Sequence, residues 1–276
     1  MMRCAVIVTT YNRPDALAAV LEGYLAQTDR DFELIVADDG STPDSRAVVE
    51  SFQARAPFPV RHVWHEDRGF RAAAIRNRAA AATTADYIVF TDGDCIPPPH
   101  FVAAHKRLAE RGHFLSGNRM LLTEGFTGEL LASKLPVQHW GALRWLAARL
   151  QGRINRWLPL VRLPDGAFRK HVAQGWEGVK TCNLSLWRDD LLKVNGMDES
   201  FSGWGLEDSD LVIRLYRAGV RHKSARFAAP VFHLWHREND RSALEENQRK
   251  LDELMSSDRV RASEGIDRYV SGAAPG

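Results

Sequence analysis

Cysteine is nearly absent: Cys4, Cys95 and Cys182 are the only three in 276 residues, widely spaced and without a CxxC pair. That argues against a disulfide framework and a structural zinc site, and it fits a reducing compartment. Long apolar runs are missing too. The stretch after Arg3 ends at Thr9, too short for a secretory signal, and nothing later approaches the ~20 apolar residues of a membrane span. Charge of one sign is not in surplus either, with 37 Lys and Arg against 35 Asp and Glu, so no global field draws the chain to nucleic acid. There is no internal repeat and no low-complexity segment. What remains is a soluble or peripheral chain, expected in the cytoplasm or on the inner face of the membrane. Its 45% hydrophobic content suffices for one large core.

Strand and helix signals alternate through the first hundred residues. Runs at 4–8, 32–37, 60–65 and 87–91 read as strands, while 15–26, 44–56 and 69–82 read as helices, the first introduced by Pro14. The alternation predicts an α/β fold with a mostly parallel sheet flanked by helices, whose carboxyl-edge loops form the ligand crevice. Further on, 114–122 and 180–187 read as strands, 225–234 is an apolar run, and 189–194, 207–218 and 242–255 read as helices.

The polar motifs fall where strands end. Asp92-Gly93-Asp94 follows the apolar run 87–90, and two carboxylates there suit a hard divalent cation that neutralises a diphosphate. Asp and Gly are also ordinary turn formers, and the second acidic loop, Asp38-Asp39-Gly40-Ser41, tips the balance toward function. Arg71, Arg76 and Arg78 bring cations near the same edge, where arginine pairs with phosphate; Arg78 reads as solvated. Gly203-Trp204-Gly205-Leu206-Glu207-Asp208 joins an aromatic ring to helix-start carboxylates. Capping explains the acids, but a sugar site also explains Trp204. His233 and His236 close a further run, either of them a candidate metal ligand.

Segment 134–170 carries Lys134, Arg144, Arg149, Arg153, Arg156, Arg162, Arg169 and Lys170 against Asp165 alone, interspersed with Trp140, Trp145 and Trp157. Leu143, Leu146, Ala147, Leu150, Ile154 and Trp157 recur at helical spacing. This basic amphipathic stretch fits two roles equally: lying on an anionic membrane surface, or packing its apolar stripe on the core with the arginines solvated.

Taken in order, the motifs resemble the GT-A glycosyltransferases of family 2, with a C-terminal part similar to the galactosyltransferase and chondroitin-polymerase type. The resemblance rests on Val8-Thr9-Thr10-Tyr11-Asn12, Asp38-Asp39-Gly40-Ser41, Arg76-Asn77, Asp92-Gly93-Asp94, the stretch from Gly203 to Asp208, and His233 with His236, over residues 4–240. It implies a GT-A, Rossmann-like nucleotide-binding fold in a single large domain. The implied activity is inverting, metal-dependent transfer from a nucleotide-sugar donor, expected to be a uridine nucleotide. The implied acceptor is a hydroxyl of a glycan or lipid-linked saccharide, in polysaccharide or cell-surface glycan synthesis.

By the same resemblance Thr10, Tyr11, Asn12, Asp39, Arg71, Arg76, Asp92 and Gly93 lie around the donor, and Asp94 with His236 or His233 holds Mn²⁺ or Mg²⁺. Asp208 matches the catalytic base. Glu207 stands beside it and, with Trp204 and Gly205, holds the acceptor sugar. Residues 1–100 would be the nucleotide-sugar-binding half and 101–240 the acceptor-binding and catalytic half, with the basic insertion at 134–170; 241–276 would be a C-terminal helix and tail. Ser209 interrupts the family's longer acidic run, and two histidines compete for one ligand position. A sugar nucleotidyltransferase is the rival enzyme, but no glycine-rich phosphate loop follows the first strand. A noncatalytic glycan-binding peripheral protein would have no need of Asp92, Asp94, Glu207 and Asp208 together.

Overall fold

The computed structural model describes residues 2–171, 175–238 and 240–270; residues 271–276 of the expected tail lie outside the described residues. The first hundred residues run β1 (Cys4–Thr10), α1 (Pro14–Leu25), β2 (Glu33–Asp38), α2 (Pro43–Gln53), β3 (Val60–Trp64), α3 (Ala72–Ala81), β4 (Tyr87–Asp92) and β5 (Cys95–Ile96). Then follow α4 (Phe101–Leu108), β6 (His113–Ser116), β7 (Arg119–Leu121), α5 (Glu124–Ser133), α6 (Ala142–Leu150), β8 (Asn183–Trp187), α7 (Arg188–Lys193), α8 (Glu207–Arg217), β9 (Arg221–Ser224), β10 (Val231–His233) and α9 (Leu244–Met255). Helices α1 and α2 each begin on a proline followed by an aspartate, which needs no donor at that position and complements the helix dipole.

Seven strands form one sheet in the order β3-β2-β1-β4-β8-β6-β9. Side chains of β1 divide between its two faces: Val6 and Val8 pack with Leu17, Val20 and Phe52, while Ala5 and Ile7 pack with Ala73, Ile75 and Ala80. Burial on both faces is why these strands read as unbroken apolar runs. The pairs β1–β2, β2–β3 and β1–β4 are parallel, in a register that sets Thr10 opposite Asp38, Asp38 opposite Trp64 and Thr9 opposite Asp92. Four strand ends therefore meet along one edge.

The mostly parallel expectation holds, with β6 and β9 parallel as well, although β8 runs antiparallel to both β4 and β6. Its register puts Asn183 opposite Thr91, so the amino end of β8 meets the carboxyl edge of β4. A small second sheet, β5-β10-β7, lies beyond.

One expectation needs correction, and two further runs resolve into shorter elements. The single strand over 114–122 is two strands in different sheets, because the chain turns at Gly117. A Cβ there would lie 2.4 Å from the Asn183 side chain and 2.6 Å from the Ala229 carbonyl, so only glycine passes. The apolar run 225–234 is strand only over Val231–His233, because the amides of Ala228 and Ala229 turn back onto the carbonyl of Ala225. The amphipathic stretch 134–170 is α-helical only over Ala142–Leu150, with single 3-10 turns at Val137–His139, Leu158–Leu160 and Ala167–Arg169. It is then stitched to β7 by the Leu122–Ile154 bridge and by the Asn155 amide on the Leu121 carbonyl. Among the described residues no helix is long and apolar enough to cross a membrane.

Candidate active site

Asp92 ends β4 and Asp94 follows two residues later. Gly93 is required there for space: a Cβ would lie 2.9 Å from the Thr10 hydroxyl and 3.2 Å from the Thr9 carbonyl, to which its own amide donates at 2.7 Å. The sequence suggested a glycine chosen for its turn, but close approach to β1 is the stronger reason.

Beyond Gly93 the chain crosses into the small sheet. Cys95 pairs with His233 across β5 and β10, and the Leu234 amide donates to the Asp94 carbonyl at 2.8 Å. This pairing brings both histidines to one carboxylate: His236 Nε2 is 3.4 Å and His233 Nε2 3.8 Å from Asp94 Oδ2. One ligand atom from each of the three lies within 4.8 Å of the others. His236 Nδ1 is 2.8 Å from the Arg237 carbonyl; it donates there, which leaves Nε2 as the lone pair facing Asp94. The grouping fits a divalent ion, and two imidazoles favour Mn²⁺ over Mg²⁺, which takes oxygen ligands.

Arg76, buried on α3, joins the motifs. Its guanidinium donates to Asp92 Oδ1 at 2.9 Å, to Thr9 Oγ1 at 3.0 Å and to Glu207 Oε1 at 3.4 Å. Burial disfavours its charge, yet Asp92, Asp208 and Glu207 together raise its pKa above that of ordinary arginine. With its donors turned to protein carboxylates, Arg76 is a clamp between the β4 edge and α8. Its neighbour Asn77 bonds both ways with the Met197 backbone, fixing α3 to the loop before α8.

Leu206, in the left-handed region at φ +73°, starts α8. Gly203 and Gly205, at φ +71° and +111°, bend the chain into it, and the Gly203 amide donates to the Phe70 carbonyl ahead of α3. Glu207 and Asp208 are 9% and 8% exposed, so they are carboxylates in a dry place. Burial pushes Glu207 up to about 7, with Asp208 adding and Arg76 opposing. Burial likewise pushes Asp92 up to about 6 against the pull of Arg76. Asp208 accepts a 2.6 Å hydrogen bond from Thr181 Oγ1. Trp204 is partly exposed, with the Arg241 guanidinium 5.1 Å from its ring centre.

At the other end of the edge, Asp39 is 3% exposed. His65 Nε2 lies 2.5 Å from Oδ1, and the Arg71 amide donates to Oδ2 at 2.8 Å. Thr10 meets Asp39 through the backbone, and its hydroxyl is buried without a partner. Tyr11 is 45% exposed and donates to Asp67 at 2.9 Å. Asn12 spends its side chain on loop closure, accepting from the Thr42 amide. Arg71 reaches the Glu66 carbonyl, and Arg78 is exposed as expected.

Sequence reasoning missed Thr181, His65 and Asp67. Thr181 has no local signal, because it reaches the edge only through the antiparallel course of β8. His65 ended a recognised strand and could have been noticed there.

Comparison with known proteins adds three findings. The model of glycosyl transferase family 2 matches residues 5–158, and that of the N-terminal domain of galactosyltransferase matches 166–237. The validoxylamine A glucosyltransferase of Streptomyces hygroscopicus subsp. jinggangensis is 33% identical over 230 residues, 78% of this chain and 52% of that protein. The chain thus spans about half the length of the curated relatives it matches.

Among solved structures, the Pyrobaculum calidifontis mannosyltransferase PcManGT, in complex with GDP-Man and Mn²⁺, superposes with a TM-score of 0.58 at 20% identity, covering 86% of this chain and 58% of that one. S. aureus TarS 1–349 in complex with UDP gives 0.59 at 15% identity, covering 97% and 68%. They share the GT-A fold.

Proposed function

Since the chain belongs to glycosyl transferase family 2, we infer that it is an inverting, metal-dependent glycosyltransferase that moves a sugar from a nucleotide-sugar donor to an acceptor hydroxyl. The observation that carries this reading is the Arg76 clamp. It holds Asp92, next to the Asp94–His233–His236 group, against Glu207, next to Asp208. A candidate cation site and a candidate base thus stand on either side of one guanidinium.

In this reading Thr10, Tyr11, Asn12, Asp39 and Arg71 surround the nucleotide, and Trp64, with its indole N–H on the Ser41 carbonyl, offers a second exposed ring. A uridine nucleotide is the donor expected, in keeping with the UDP bound by TarS. Asp92 and Gly93 shape the donor sugar's side of the edge. Asp94, His236 and His233 would hold Mn²⁺, which supplies neutralisation of the diphosphate as it leaves. Asp208, oriented by Thr181, takes the proton of an acceptor hydroxyl attacking from the opposite face, so configuration inverts. Glu207 accepts from a sugar hydroxyl, with Trp204 and Gly205 lining the acceptor's apolar side. The acceptor is a glycan or a lipid-linked saccharide.

The test is sugar transfer and donor hydrolysis by the purified chain, with and without Mn²⁺. Asp208→Asn should lose ~100-fold or more of transfer while donor affinity stays. Near-normal turnover in that variant, or metal-independent donor binding in the wild type, would overturn the assignment.

A further inference from the structure

The sequence left two roles open for segment 134–170, and burial decides between them. Helix α6 turns Trp145 and Ala148 inward, where Trp145 stacks on Phe232 with ring centres 4.3 Å apart. The other apolar stripe points to solvent: Leu143 and Leu150 are 83% and 81% exposed, Ala147 is exposed and Leu146 half-buried. Positions 143, 146, 147 and 150 share one helical face. Past the helix, Leu158, Val161, Leu163 and Phe168 are also exposed. About a tenth of the chain therefore carries six of the eleven large hydrophobics exposed among the described residues, where scattered single exposures are the norm.

The charges say what covers them. Arg153 pairs with Glu129, Lys170 with Glu110 and Lys223 with Asp165, and Arg169 is buried on backbone carbonyls. Arg149, Arg156 and Arg162 are exposed and have no carboxylate partner among the described residues. The only acid of the stretch is therefore engaged, and its outward face is leucine and arginine. A second copy of the chain would set arginine against arginine.

We propose that residues 142–168 dock on the surface of an anionic lipid bilayer, with Leu143 and Leu150 entering the boundary between headgroups and acyl chains and the arginines facing lipid phosphates. The docking segment joins β7 directly, and β7 pairs with the strand that carries His233. Docking thus holds the candidate active site near the membrane surface. The inference does not depend on the transfer reaction.

The test is co-sedimentation of the full chain with phosphatidylcholine vesicles, with and without about a third phosphatidylglycerol. Binding should require the anionic lipid and weaken as salt rises. The pair Leu143→Ser and Leu150→Ser should bind at least tenfold more weakly with unchanged thermal unfolding, since both side chains are already in water. Arg149→Gln and Arg156→Gln should each cost about fivefold. Equal binding to neutral vesicles, no binding to anionic ones, or leucine variants that bind like wild type would each overturn the proposal. So would concentration-dependent dimerisation without lipid that the serine pair abolishes, which would make a second copy the occupant.

Discussion

Glu207→Gln should stabilise the protein, and only above about pH 4.5. The Glu207 carboxyl is pushed from its ordinary 4.5 up to about 7 because burial outweighs the Arg76 guanidinium 3.4 Å away. For a carboxyl whose folded pKa is raised, the folded state holds the proton more tightly than the unfolded chain. Its stability is then full below about 4.5 and falls as pH rises toward about 7, as the buried group is forced to ionise. A rise of that size corresponds to about 3 kcal/mol, part of it due to the neighbouring Asp208 charge. Glutamine keeps the shape and the acceptor oxygen for Arg76 but never ionises. In urea denaturation the variant and wild type should match at pH 4.5, and the variant should gain up to about 3 kcal/mol by pH 8.5 with the slope unchanged. A variant less stable than wild type at pH 8.5 would refute the reasoning, because it would mean that Arg76 outweighs burial.

Arg76→Met should cost about 3–5 kcal/mol near neutral pH by leaving half-buried Asp92 and buried Glu207 without their cation. The loss in urea denaturation should shrink at pH 5, where both acids take up protons; a pH-independent loss would point to packing instead. Gly93→Ala should cost about 1–3 kcal/mol from crowding against Thr10. It should weaken Mn²⁺ binding about tenfold or more, because Asp94 shifts with the strand end. Calorimetry showing normal metal affinity in a destabilised protein would separate Gly93 from the cation group.

Local chemistry made the first half legible. Strands β1, β2 and β4 are buried on both faces, so their apolar runs stand out, and the acids that stop them stand out for the same reason. The second half owes its form to contacts distant in sequence. Gly117 looks like one glycine in a strand until Asn183 and Ala229 close on it. Thr181 looks like nothing until β8 turns antiparallel and delivers its hydroxyl to Asp208. The choice between His233 and His236 could not be made from spacing because the strand pairing brings both to Asp94. The stripe through Leu143 and Leu150 shows the limit of periodicity: it identifies a face, and only packing tells whether that face is inward.

On the proposed reading, the charges at this edge make metal and donor bind as partners. Asp92, Glu207 and Asp208 converge on Arg76, which already donates to Thr9, Asp92 and Glu207, and Asp94 adds its charge beside Asp92. Even with Glu207 partly protonated near pH 7, a diphosphate would enter a negative field with few open donors. Asp94, His233 and His236 would hold a divalent ion whose positive charge would reverse the local sign for a diphosphate. Binding free energies are reciprocal, so the factor by which Mn²⁺ tightens the donor must equal the factor by which the donor tightens Mn²⁺, ~5- to 150-fold for couplings of ordinary size. Calorimetric titrations in both orders measure both factors. Donor affinity indifferent to Mn²⁺ would show that other cations neutralise the phosphates, with half-buried Arg71 or exposed Arg78 the first to substitute.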